Sequence, residues 1–525
     1  MITSRSALLG GASLVILGLS ALAAQADGAI KVNYATAPST LDPAWACGLP
    51  ELSFLQNFYV RLVQPAVVDA GNGFKTTDFG KYEPWLAESW TISEDQKTYT
   101  FKLKSGFKFA SGAAVDAAAV KYSLERASKM AGCGNYIVND GFTAPSLYES
   151  IEATDPTTLV IKLTHPNANT LQALSTPSAG IVDAAVVEAN GGVEAGKPNE
   201  YMASHVTASG AFDLTAYSPN QSAKLTRNPN YGDQAAVSEA IDVNWISAPP
   251  TLLLQARSGQ VDFTFGLAKQ AANSMKEQAG IKVLAFNNPF SLQILMPNSK
   301  APWDNVKVRE AVALSIPYQD IIAKVAFGWG TPYYGPIMPS LPGFDAAKSA
   351  PLTPDMDKAK ALMAESGVSL PVNVEMVLQE GDAVQEQVAT ILQGIWGELG
   401  INVTTKVLPG AEYQDVTQAH KAQTFMRVDG PGVFDAGYYL GYDMVCGGGF
   451  NLTEACVPEA DEKLKTLRSS SDAAERAKLI GEITDLWRAS YPKIPVYEDQ
   501  PVVVLSDAVK NFTFSPLPDM RGWGK

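Results

Sequence analysis

The chain has 525 residues, with 46% hydrophobic and 18% charged side chains, so it is an ordinary globular sequence too long for a single hydrophobic core. Two or three lobes are expected. Its 54 acids against 40 bases leave a net charge of −14, which excludes a nucleic-acid partner, because phosphate neutralisation needs a basic surface.

In chain order, Arg5 precedes an apolar run over residues 7–24, and Ala24-Gln25-Ala26 forms a small-x-small cleavage pattern. A cleaved export signal over residues 1–26 is predicted, with the mature chain starting at Asp27. The alternative, a membrane anchor, is disfavoured because the run is near the lower limit for spanning and ends at a cleavage site. No Cys follows that site, so lipid attachment is not expected. An exported chain with four cysteines points to disulfides, and three pairings are formally open. The expected pairs are Cys446–Cys456, which flank Gly447-Gly-Gly449, and Cys47–Cys133. Four reduced, buried thiols are the alternative.

Further elements follow from periodicity. Tyr99, Phe101 and Leu103 alternate as on a strand with one buried face, and residues 158–163 read the same way. A helix is predicted over Thr353-Pro354 and residues 355–365, with Pro at its first position and Gly367 after its end. Val388, Ile391, Leu392, Ile395 and Leu399 form a helical stripe ended by Gly400. Another stripe, Leu479, Ile480, Ile483, Leu486 and Trp487, is entered through Asp472 with Glu475 three residues on, a capping box. All of these read as core. Residues 328–343 form a loop rich in Gly and Pro, and residues 429–456 read as irregular, rich in Gly and aromatics. Long ordered loops are more often functional than incidental.

Catalytic motifs are missing. The three histidines, His165, His205 and His420, have no metal-helix spacing, and neither H-E-x-x-H nor G-x-S-x-G occurs. Gly191-Gly-Val-Glu-Ala-Gly-Lys197 is followed by Pro198, which has no hydroxyl for magnesium, and reads as a turn. No enzyme activity, cofactor or metal is expected.

Several segments, in one order, resemble the peptide/opine/nickel family of bacterial extracellular solute-binding proteins. The first is Ala37-Pro-Ser-Thr-Leu-Asp-Pro43; the strongest runs from Pro84-Trp-Leu-Ala-Glu-Ser-Trp90 to Phe109 and on through Val120-Lys-Tyr-Ser-Leu-Glu-Arg126. Leu225-Thr-Arg-Asn-Pro-Asn-Tyr231, Leu399-Gly-Ile-Asn-Val403 and Tyr491-Pro-Lys-Ile-Pro-Val-Tyr497 continue the series. The resemblance implies an α/β, two-lobed periplasmic-binding-protein fold with hinge strands. Lobe I would cover residues 27–290 with an inserted subdomain at about 75–205, lobe II residues 291–498, and residues 499–525 would return to lobe I. It implies a periplasmic monomer that closes on a small-molecule ligand and delivers it to an inner-membrane ABC permease, with no covalent step.

For the ligand, the family resemblance points to residues 426–446. Dipeptide receptors carry a Trp there, at the position of Val428, and an Asp for the ligand ammonium, matched by Asp429 or Asp435. Those receptors also place an Arg at the start of the helix matching residues 381–387, where this chain has no base. Bottom-up, Arg427 and Asp429 lie two apart and point the same way on an extended segment, suited to a carboxylate and an ammonium. A mutual surface ion pair is the competing reading. Phe434, Tyr438 and Tyr439 are candidate stacking partners, with Trp329, Tyr333 and Trp45 as further candidates. The expected ligand is a short peptide or opine-like conjugate. An oligosaccharide or glycoside receptor, a chaperone or chemosensory role, and a secreted hydrolase are the alternatives.

Overall fold

The computed structural model describes residues 29–70, 74–140, 146–514 and 517–525, so the export-signal reading falls outside the described residues. Two large mixed sheets organise the chain. One has seven strands, in the spatial order Ile281–Ala285, Val502–Ser506, Phe263–Phe265, Ile30–Tyr34, Ala240–Trp245, Ser222–Arg227 and Phe212–Ser218. The other has six, in the order Gly330–Thr331, Lys493–Asp499, Ser291–Leu295, Thr424–Asp429, Val372–Gln379 and Ile401–Leu408. Ser291–Leu295 is buried along its whole length, as expected of a strand covered on both faces.

The chain passes between these sheets twice, through residues 286–290 and through Gln500 and Pro501. The two crossings run side by side. The Phe286 amide donates to the Pro501 carbonyl (3.2 Å) and the Asp499 amide to the Phe290 carbonyl (2.8 Å). Two short paired connections between two sheets, each with its own core, make a hinge. A third, four-stranded antiparallel sheet (Ala87–Ile92, Thr98–Leu103, Thr158–Leu163, Tyr148–Asp155) lies under the helix Ala117–Met130. On Thr98–Leu103 the side chains of Tyr99, Phe101 and Leu103 are buried.

Most local expectations hold, with informative differences. Asp472 caps the helix Ala473–Ser490 by accepting from the Glu475 amide, and Ile480, Ile483 and Trp487 are buried in the core of the six-stranded lobe. The helix Met356–Ser366 starts two residues later than its proline suggests: Asp355 is the N-cap, accepting from the Lys358 amide, so Pro354 lies outside the helix. The stripe helix is Ala383–Gly397 and stops before Leu399; Gly400 then turns the chain with φ +79°. Residues 429–456 are not irregular throughout. Asp435 accepts from the Tyr438 amide and nucleates the helix Ala436–Asp443 despite its two glycines.

One carboxylate sits within the hinge strand itself. Glu498, on Lys493–Asp499, accepts from the Ser340 amide (2.8 Å) and hydroxyl (2.6 Å) and is 1% exposed. Burial pushes its carboxyl from the ordinary 4.5 up to about 7, the Ser340 bonds partly opposing and the Asp499 charge adding to it. An acid whose folded pKa is raised contributes stability that is present in full below the unfolded pKa and lost as pH rises through the folded one. The expected loss between about pH 4.5 and 7 is on the order of 3 kcal/mol, at about 1.36 kcal/mol per unit. Glu498→Gln keeps an acceptor for Ser340 and is expected to remove that component. Urea midpoints at pH 5 and pH 8 test this; a variant with the parent's pH dependence contradicts it.

Candidate ligand-binding site

Between the two lobes lies a cavity of about 400 Å³. Its lobe I wall comes from Cys47, Gly48, Leu49 and Leu52, from Arg61, Gln64, Pro65 and Val67, and from Thr77, Phe79, Cys133, Tyr136 and Ile137. Gln172, Ser175, Thr176 and Pro177 and the C-terminal residues Thr513, Leu517, Asp519 and Arg521 complete that wall. The other wall comes from Arg427, Val428, Asp429 and the turn to Phe434, with Tyr438, Tyr442 and Phe450; Phe290 of the hinge stands between them. The turn after Asp429 presses on the hinge so closely that a Cβ at Gly430 would meet the Pro289 carbonyl at 2.3 Å. Only glycine fits there.

Arg427 and Asp429 end the strand Thr424–Asp429, and the two-residue period brings both onto the cavity wall. They pair with each other, Arg427 Nη2 to Asp429 Oδ1 at 2.8 Å, with side chains only 20% and 10% exposed, so this is no surface ion pair. Burial opposes the guanidinium charge, but the adjacent Asp429 carboxylate together with Tyr442, Tyr413 and Tyr439 outweighs it and holds Arg427 above the ordinary arginine value. Among the described residues no bond engages the second carboxylate oxygen of Asp429. An Asp oxygen on a half-enclosed wall is suited to a cationic or hydroxyl donor.

Contacts across the cavity rim hold the lobes together. The Phe79 and Phe434 rings lie 4.2 Å apart, and the Tyr438 hydroxyl donates to the Tyr136 carbonyl at 3.2 Å. Arg468 pairs with Asp140, and its carbonyl accepts from the Ala168 amide at 3.2 Å. Both expected cystine links are formed. Cys47–Cys133, with Cα atoms 5.2 Å apart, is part of the cavity wall. Cys446–Cys456, at 4.7 Å, closes the loop that carries Phe450, whose ring packs on Tyr442 (5.1 Å) and Tyr136 (5.6 Å).

Of the nine residues singled out from sequence, the cavity wall includes Arg427, Asp429, Phe434 and Tyr438. The other five are engaged elsewhere. Asp435 caps its helix and pairs with Arg476 (2.5 Å), and the Asn169 amide nitrogen, in the orientation that satisfies both its ends, donates to it at 2.8 Å. Tyr439 is fully buried, its hydroxyl accepting from Gln293 (2.9 Å) and Lys493 (3.3 Å). Tyr333 lies in the same lobe's core. The Trp329 carbonyl accepts from Lys269, and its ring lies under Lys276, 4.2 Å away. Trp45 packs on the core of the four-stranded sheet, two residues before the cavity-lining Cys47. Sequence reasoning passed over Arg61, Gln64, Asp519 and Arg521, whose two pairs come from opposite ends of the chain.

A model of the bacterial extracellular solute-binding proteins, family 5 (middle), matches residues 81–451. The chain belongs to this family. It is similar to the probable D,D-dipeptide-binding periplasmic protein DdpA of Escherichia coli K12, at 26% identity over 93% of this chain and 92% of that one. It is also similar to the glutathione-binding protein GsiB of the same strain, at 26% over 82% and 83%. Among solved structures, Helicobacter pylori DppA in complex with the peptide STSA superposes with a TM-score of 0.80, at 22% identity over 94% and 97% of the chains. AgaA of A. tumefaciens R10 in complex with agropinic acid gives 0.78, at 21% over 95% and 98%. The chain is thus a two-lobed member of a family of extracellular solute-binding receptors, not enzymes.

Proposed function

We propose that this chain is the periplasmic receptor for a small zwitterionic compound, a short peptide or an opine-like amino-acid conjugate. It closes on that ligand by bending at the hinge and delivers it as a monomer to an inner-membrane ABC permease. In this reading residues 1–26 are a cleaved leader, and lobe I spans 27–290 with a subdomain at about 75–205. Lobe II spans 291–498, and residues 499–525 return to lobe I. Asp429 takes the ligand ammonium, Arg427 orients Asp429, and Phe434 and Tyr438 cover the ligand's body.

The observation that carries this reading is a carboxylate on the inner wall of a cavity that both lobes close over. The names of relatives bear on it too: two are named for D,D-dipeptides and glutathione, and two structures hold a peptide and agropinic acid. Ligand that binds only the shut state draws the lobes together.

A thermal-shift screen of peptides, opines and oligosaccharides identifies the ligand, which at a hundred times its Kd stabilises the fold by about 2.7 kcal/mol. Asp429→Asn is then expected to weaken binding of the best hit by about 1.5–3 kcal/mol. If only oligosaccharides raise the melt, or the variant binds as the parent does, the zwitterion reading fails and the receptor role stands.

A further inference from the structure

The described residues that line the cavity carry five formal charges, from Arg61, Arg427, Arg521, Asp429 and Asp519. Four of them cancel in pairs. Asp429 holds Arg427 at 2.8 Å, and Asp519 holds Arg521 at 2.5 Å, with Arg521 Nε adding a 2.9 Å bond to the same carboxylate. Arg61 is left over.

Arg61 is 3% exposed, yet no carboxylate pairs with it among the described residues. Among the described residues its one hydrogen bond is a long 3.5 Å contact from Nη1 to the Tyr59 carbonyl, and Nε has no acceptor. The guanidinium lies over the Trp85 ring (4.5 Å to its centroid), as does that of Arg521 (4.2 Å), so two cations share one aromatic face or its two sides. A buried cation without a directly bonded counter-ion is costly, and an anion that bonds it would offset that cost. Burial, with the like charge of Arg521, pulls its pKa down to about 9; the Asp519 carboxylate, already bonded to Arg521, opposes this only in part.

We propose that Arg61 is the anion-receiving residue of the cavity and takes the carboxylate of the zwitterionic ligand. This rests on the reading of the cavity as the ligand site and adds to it the second anchor. A single carboxylate matches one unpaired guanidinium in charge and in its planar, two-pronged geometry. A phosphate monoester would bring nearly two charges to it. The two anchors come from opposite lobes, Arg61 from lobe I and Asp429 from lobe II, so a ligand bearing both an acid and an ammonium bridges the cleft. Closure then depends on both groups being present on one molecule.

The experiment uses the exported protein and measures affinity for D-alanyl-D-alanine, Ser-Thr-Ser-Ala and glutathione, each as the free acid and as the C-terminal carboxamide. Maltotriose serves as the neutral control. For the probe that binds best, the parent is expected to prefer the acid about 10- to 100-fold, the range of a charge-assisted bond. Arg61→Gln is expected to bring that ratio close to one, Arg61→Lys to keep part of it, and Asp429→Asn to weaken acid and amide alike. The ratio is internal to each variant, so a loss of stability shared by both probes does not move it. Carboxamides that bind the parent as well as the acids do, or an Arg61→Gln variant that keeps the parent's preference, overturn the role of Arg61 and leave the peptide reading in place. If maltotriose alone binds, both fall.

Discussion

Asp42→Ala is expected to lower the unfolding free energy by about 3–5 kcal/mol, the cost of leaving one partner of a buried ion pair without the other. Asp42 and Arg126 are each 1% exposed at the side chain and meet through two parallel bonds, Nη1 to Oδ1 at 2.7 Å and Nη2 to Oδ2 at 2.5 Å. The same carboxylate accepts from the Ala44 amide (3.0 Å) and so shapes the turn that leads to Cys47. With the aspartate gone, the guanidinium stays buried on the helix Ala117–Met130 with nothing to offset its lost hydration. Urea unfolding of parent and variant measures the difference. Replacing both residues, Asp42→Leu with Arg126→Met, is expected to recover most of the loss, because the second variant removes the stranded charge. A single variant within about 1 kcal/mol of the parent contradicts the argument, since that is the range of exposed pairs.

This pair also explains why two distant stretches of sequence were informative together. Asp42 belongs to the opening segment and Arg126 to the end of the longest one, and the two meet in the fold without touching the cavity. Local patterns were legible for a related reason. The alternation of Tyr99, Phe101 and Leu103 and the cap at Asp472 depend on neighbours within a few residues. The site was legible only where it is local too. Arg427 and Asp429 share a strand face because two residues separate them. Tyr438 and Tyr439 are adjacent on a helix, where side chains diverge by about 100°, so one lines the cavity and the other enters the core. Glycines at 437 and 441 hid that helix, and with it the choice between the tyrosines. Arg61 and Arg521 come from opposite ends of the chain and meet only at Trp85, so no spacing announces them.

The Cys47→Ala, Cys133→Ala double variant is expected to lose about 4–5 kcal/mol, against about 2–3 kcal/mol for Cys446→Ala with Cys456→Ala. The difference follows from loop length. The first bond spans 86 residues and the second 10, and the freedom removed from the unfolded chain grows with the logarithm of that number. The first bond also fixes one wall of the cavity. It ties the segment after Asp42 to the helix Cys133–Val138, alongside a 3.1 Å bond from the Gly134 amide to the Ala44 carbonyl. The fit is tight there, since a Cβ at Gly132 or Gly134 would meet the Ala44 carbonyl at 2.7 Å. Loss of this bond is therefore expected to weaken ligand binding as well as stability. Loss of the other acts on Phe450 at the rim and is expected to change release more than the fold. Urea unfolding of both double variants decides the order of the two costs, and a larger loss from the Cys446–Cys456 pair would show that native-state packing, not unfolded-state entropy, sets the contribution of each bond.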